Sequence, residues 1–126
     1  MASAFDEFLG IKIIERDKER VVGEFRTDER HMNRHGRVHG GALMAFADEL
    51  GGLGTVLNLA NGAGTTTLES KTNFFRGGQA GVLRGESIPL HRGRSTMVWQ
   101  TTIRNPDGSV VAMITQTQMV LQPAKP

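Results

Sequence analysis

Gly40-Gly41-Ala42-Leu43-Met44-Ala45-Phe46-Ala47-Asp48-Glu49-Leu50-Gly51-Gly52-Leu53-Gly54-Thr55-Val56-Leu57, continuing to about Ala60, is the one long stretch of the chain with a helical period. Leu43, Phe46, Ala47, Leu50, Leu53 and Leu57 recur at i, i+3, i+4 and i+7, which predicts a helix that buries one stripe of its surface. Gly51, Gly52 and Gly54 lie inside it, and a glycine in a helix interior costs about 1 kcal/mol relative to alanine. Such residues imply that something comes close to the helix backbone there: a packed sheet, a partner helix or a ligand.

Past Asn61-Gly62-Ala63-Gly64 the period changes from helical to two. Thr65 to Arg76, Val82 to His91, Ser95 to Arg104 and Val110 to Leu121 read as four extended runs, divided by Gly- and Asn/Pro-rich turns. This predicts an antiparallel meander in the second half. Upstream of the helix, residues 5 to 9 suit one amphipathic turn, and Ile11 to Glu15 and Arg20 to Thr27 read as two short strands around a charged turn. Asp28 to Arg37 is polar and aperiodic, hence a loop. One or two short strands, one long helix and four strands suggest a curved sheet wrapped around that helix.

With 126 residues, 38% of them apolar, and 16 glycines, the chain suits a single domain over 1–126. It has no cysteine, which excludes disulfides, thiolate metal sites and a cysteine nucleophile, and no tyrosine acid. A net charge of +2 gives no reason to expect a nucleic-acid partner. Asp48 and Glu49 break the most apolar stretch, so no membrane span is expected, and the N-terminus lacks the basic and apolar regions of a signal peptide. A cytoplasmic protein is the expectation.

His31, Asn33, Gly36, His39, Gly40, Gly41 and Asp48 lie within one stretch of loop and helix. The segment His31 to Asp48 resembles the hotdog-fold acyl-CoA thioesterases of the phenylacetate-degradation type, whose motif positions are filled here by Asn33, Gly36, His39, Gly40, Gly41 and Asp48. Asn73-Phe74-Phe75-Arg76 is similar to that family's strand end after the helix, with Gly77 where a proline is usual. Pro89-Leu90-His91-Arg92-Gly93-Arg94 is similar to its turn before the penultimate strand. The resemblance spans Gly23 to Leu121 and implies an α+β hotdog fold, a curved antiparallel sheet around one long central helix.

It also implies chemistry. Asp48 takes the place of the catalytic carboxylate, acting on water as a general base or on the thioester carbonyl as a nucleophile. Gly40 opens the helix, where free N–H groups and the positive dipole end suit an oxyanion, and Gly41 beside it belongs to the substrate-binding surface. Asn33 helps to hold the carbonyl or the water, His39 orients groups at the helix entrance, and Thr67 stands near the attacking water. Arg76, Arg92 and Arg94 have the right chemistry for the phosphates of coenzyme A. No cofactor is required, since a thioester is already activated toward hydrolysis. His31, His35 and His39 would align as metal ligands on a helix, but the loop around them argues against that, so no metal site is expected. Phe46, Phe74, Phe75, Met44 and Met97 suit either an acyl pocket or the core. Glu49 points about 100° away from Asp48 and reads as a surface or salt-bridging residue.

Two other functions fit the same sequence: an acyl-CoA binding protein without turnover, and a hotdog hydratase or dehydratase using His39 with a carboxylate. Gly40 and Asp48, eight residues apart, stand about 12 Å apart along a helix and cannot both touch one carbonyl. Two copies of the helix running antiparallel about a dyad near Met44 would set each Gly40 beside the other copy's Asp48. A homodimer, alone or paired into a dimer of dimers, with shared sites at its interface is therefore expected.

Overall fold

Ser3 caps the first element: its Oγ accepts the Asp6 N–H at 3.1 Å, and the Asp6 carboxylate takes the Ser3 N–H at 3.0 Å. Residues 3–124 are described by a computed structural model. The elements are α1 (Ala4–Leu9), β1 (Ile11–Asp17), β2 (Arg20–Thr27), a 3₁₀ turn (Glu29–His31), α2 (Gly40–Leu57), β3 (Gly64–Phe74), β4 (Gly81–Arg92), β5 (Thr96–Arg104) and β6 (Val110–Leu121). The turn expected over residues 5 to 9 is α1. Helix α2 stops at Leu57 rather than near Ala60, because Asn58 caps it: the Asn58 amide nitrogen donates to the carbonyls of Gly54 and Lys18, both at 2.9 Å.

The six strands form one antiparallel sheet in the order β1-β2-β4-β5-β6-β3, with α2 packed across one face. Leu43, Phe46, Ala47 and Leu50 of α2 are buried against Val21, Phe25, Leu83, Ile103, Val111 and Ile114 of the sheet. This is the curved sheet around a helix that the sequence predicted. The glycines of α2 are explained in part by the same packing. A Cβ on Gly54 would lie 2.5 Å from the Trp99 ring, and one on Gly51 would strike the Gln116 amide. Among the described residues nothing lies within 4 Å of a Cβ on Gly52.

The four-strand meander needs correction. β4, β5 and β6 do follow one another, but β3 pairs with β6, from Gly64 opposite Leu121 to Phe74 opposite Ala112, while β4 pairs with β2. Glycines between strands mark a change of direction without fixing which strand comes next. Here Phe75 to Ala80 cross the end of the sheet instead of closing a hairpin. Buried Asn105 holds that crossing, donating to the Gly77 carbonyl at 3.2 Å and accepting the Gln79 N–H at 2.8 Å, and Val38 N–H reaches the Gly78 carbonyl at 3.0 Å. As a result β3 is an edge strand beside α2.

Candidate active site

The polar loop ahead of α2 is built on His31, whose ring is buried between Phe8 and Phe25. Its Nδ1 accepts the Asp28 N–H at 3.0 Å, so Nε2 carries the proton and donates to the Phe8 carbonyl at 3.0 Å. Asp28 Oδ1 lies 3.6 Å from the same Nδ1. His31 therefore anchors the loop to α1. Among the described residues no three His, Asp or Glu side chains are grouped to hold a metal ion.

Asn33 makes the Asx turn that its residue type suits: Oδ1 accepts the N–H groups of His35 at 2.9 Å and Arg37 at 3.1 Å. These bonds fix the amide's orientation, and its NH₂ group has no acceptor among the described residues. At the helix start, His39 Nδ1 accepts the Gly41 N–H at 2.9 Å, and the His39 carbonyl accepts those of Ala42 and Leu43. Of the first four N–H groups of α2 only that of Gly40 has no acceptor among the described residues. A Cβ on Gly40 would lie 3.2 Å from the Phe74 ring, so the residue fronts a narrow space.

That space is a cleft of ≈ 460 Å³ lined by Asn33, Gly40, Phe74, Phe75, Arg37 and Arg76, among others. Asn33, Gly40 and Arg76 are thus brought together, with Phe74 and Phe75 half-exposed at the edge, while Phe46 and Met97 belong to the core. His39 lines a separate groove of ≈ 210 Å³ with Phe5, Phe8 and Gly41. The Gly41 N–H is already used by His39.

Asp48 lies in another cleft, of ≈ 340 Å³, with Thr67, Thr65, Gly52 and Gln118. Thr67 Oγ1 lies 2.9 Å from Asp48 Oδ1 and 2.7 Å from Gln118 Oε1. Gln116 Nε2 lies 3.0 Å from Gln118 Oε1 and 3.4 Å from Asp48 Oδ1. Both bonds to Asp48 reach Oδ1, and Oδ2 has no partner among the described residues. Glu49, expected as a surface or salt-bridging residue, has no ion pair among the described residues. It is half-buried, and burial first, then the charge and hydrogen bond of Asp6, then the charge of Asp48 push its carboxyl up to about 7.

The arginines divide. Arg76 borders the Gly40 cleft. Arg92 grips Glu19 through two bonds of 2.8 and 3.1 Å and reaches the Lys18 carbonyl, tying β4 to the β1–β2 turn. Arg94 is exposed in the β4–β5 turn, where its own carbonyl accepts from Gln122. Arg92 and Arg94 lie at the Asn58 end of α2, away from Gly40. Sequence reasoning missed Arg37, Gln116 and Gln118. Arg37 carries no signal in an aperiodic loop. For the glutamines there was one: at period two, Gln116 and Gln118 occupy the core-facing side of β6, where an apolar residue is the rule.

The sequence matches the Thioesterase superfamily over residues 35–112, more than half of the chain. It is 29% identical over 102 residues to the proofreading thioesterase EntH of Cronobacter turicensis, covering 81% of this chain and 74% of that one. It is 33% identical over 78 residues to a Vibrio cholerae protein named as a candidate esterase, a match covering 62% of this chain and 52% of that protein, so the chain spans about half the length of that relative. Among solved structures it is similar to a thioesterase of Haemophilus influenzae, with a TM-score of 0.92 at 26% identity, covering 98% of this chain and 87% of that one. The PaaI protein of the Escherichia coli phenylacetic acid degradation operon superposes with a TM-score of 0.88 at 25% identity, over 97% of this chain and 87% of that one. The match to the family sequence, the single sheet around one helix and the neighbours that share it agree, and the chain belongs to the Thioesterase superfamily of thioester hydrolases.

Proposed function

We propose that this chain is an acyl-CoA thioesterase, a single domain that works as a dimer with two shared sites. One observation carries the reading: the Gly40 N–H and Asp48 Oδ2 are both without partners among the described residues, yet they stand on one helix about 12 Å apart and border different clefts. Each cleft holds half of a thioester hydrolase. The edge strand β3 runs beside both, with Leu68, Phe74 and Phe75 more than half exposed, at 59, 52 and 56%. A second copy set antiparallel along this edge covers those side chains and brings its Asp48 to the first copy's Gly40.

In such a site the carbonyl oxygen of the thioester accepts from the Gly40 N–H at the positive end of α2, with the Asn33 NH₂ group as a second donor. Asp48 Oδ2 takes a proton from water, and the water oxygen adds to the carbonyl carbon. The tetrahedral intermediate then expels the thiolate of coenzyme A and leaves the free acid. Thr67 holds Asp48 Oδ1, His39 keeps the helix start in place through Gly41, and Arg76 with Arg37 offers charge to the phosphates of coenzyme A. The acyl group, aliphatic or aryl, meets Phe74 and Phe75. The Nδ1 atom of His39 is occupied by the Gly41 N–H, which speaks against a hydratase role for that nitrogen.

A panel of aliphatic and aryl acyl-CoAs, followed with a thiol reagent, tests the reading, and a chain without cysteine gives no background. Thiol release is expected, and Asp48→Asn is expected to lower kcat by at least about a hundredfold with the fold intact. Calorimetric binding with no thiol released would assign the chain as a binding protein.

A further inference from the structure

Behind Asp48 lies a chain of side-chain hydrogen bonds whose direction is set by the backbone. The Thr65 hydroxyl donates to the Met119 carbonyl at 2.8 Å, so its oxygen is left to accept from Gln118 Nε2 at 3.0 Å. That turns Gln118 Oε1 toward Gln116 Nε2 at 3.0 Å and Thr67 Oγ1 at 2.7 Å. Gln116, with its NH₂ group thus oriented, places its other hydrogen toward Asp48 Oδ1 at 3.4 Å. Gln116 and Gln118 are 0 and 2% exposed, and the missing Cβ of Gly51 leaves the room that the Gln116 amide occupies. Two fully buried amides under an otherwise apolar helix are costly, and a merely packed position would be filled at lower cost by leucine or methionine.

Thr67 is where this chain meets the chemistry. Its hydroxyl has one hydrogen and two acceptors, Asp48 Oδ1 at 2.9 Å and Gln118 Oε1 at 2.7 Å. An ionised carboxylate is the stronger acceptor and holds that hydrogen while Asp48 is charged. When Asp48 takes the proton of water on Oδ2, its charge is gone, and the Thr67 hydrogen turns to Gln118 without any covalent bond to Thr67 breaking. We propose that Gln116 and Gln118 are positioning residues of the thioesterase reaction: they fix the direction of the chain that ends on Asp48 Oδ1, and Gln118 gives the Thr67 hydroxyl a second acceptor for the step in which Asp48 is neutralised. The proposal rests on Asp48 being the base of the proposed function.

The test is a double-mutant cycle on steady-state hydrolysis of an acyl-CoA, with Asp48→Asn assayed alongside. Gln118→Met is expected to lower kcat about tenfold, the upper worth of one hydrogen bond between neutral groups, with KM within about twofold. Thr67→Val should fall similarly, Thr67→Ser should retain most of the activity, and Gln118→Met with Thr67→Val should be no worse than the poorer single variant. If Gln118→Met does not fold, Gln118→Asn, one methylene shorter, keeps a buried amide but withdraws it from Thr67, and it should show the same split. Wild-type kcat in the Gln118 variants, with Asp48→Asn inactive, overturns the relay and leaves Asp48 as the base. Losses that multiply in the double variant, or that appear in KM and thermal stability alone, overturn it in favour of a structural role. An active Asp48→Asn overturns the relay together with the reading beneath it.

Discussion

Glu49 shows how far a residue's neighbours outweigh its type. Its carboxyl titrates up to about 7 in the folded chain against an ordinary value of 4.5, because burial, then Asp6, then Asp48 disfavour its charge. Between those values the folded state holds a proton that the unfolded state has lost. The stability that protonated Glu49 contributes is therefore whole below about pH 4.5 and is lost as the pH rises through about 7. Thermal unfolding followed across this window should show Tm falling with pH for the wild type. Glu49→Gln, which cannot ionise, should remove that part of the slope and be the more stable protein at pH 8. Parallel curves for the two would refute the assignment. In the sequence Glu49 looks like a solvated neighbour of Asp48, since nothing in the helical period shows that α1 folds back against it. Asn33, Gly40, Asp48 and Thr67 were picked out through the family resemblance, and the fold sets Asn33 and Gly40 in one cleft and Asp48 and Thr67 in another. The pairing of Arg92 was not legible, because its partner Glu19 is 73 residues away.

At the scale of the element, α2 was readable from its period and its glycines, but those glycines are not equivalent. Alanine at Gly54 meets the rigid, buried Trp99 ring at 2.5 Å, so Gly54→Ala should cost about 1–3 kcal/mol despite the better helix propensity of alanine. Gly52 has open space before it, and Gly52→Ala should gain about 0.5–1 kcal/mol. Denaturant midpoints of the two variants check both signs, and a stabilised Gly54→Ala would show that the helix shifts freely on the sheet. The strands were found nearly residue for residue from their alternation, whereas their order was misread at β3. Period-two patterning says which residues face the helix; it says nothing about which neighbour a strand takes. That choice is made by contacts such as Asn105 to Gly77 and Gln79, which join residues 28 and 26 positions apart.

For the whole molecule the decisive question is whether one site draws on two chains. Asn33 and Gly40 border one cleft and Asp48 another, so inactive Asp48→Ala and Asn33→Ala variants should rescue one another when mixed. Re-pairing equal amounts at random makes half the dimers mixed, and one of the two sites in each mixed dimer is native, so about one quarter of all sites should recover. No recovery, with subunit exchange confirmed by a tagged chain, rejects the shared site. The crossing of Phe75 to Ala80 bears on assembly in time as well as in space. β3 leaves the ribosome ahead of the three strands that complete the sheet, yet its partner begins and ends with residues made much later: Gly64 waits for Leu121, 57 positions further along. The β4-β5-β6 ribbon zips from sequence neighbours, whereas β3 must close a long loop before any pairing rewards it. In a nascent chain, then, Thr65 to Phe74 stays unpaired until β6 has emerged, just as β2, made earlier still, waits for β4, with Thr27 opposite Gly81 at the nearest.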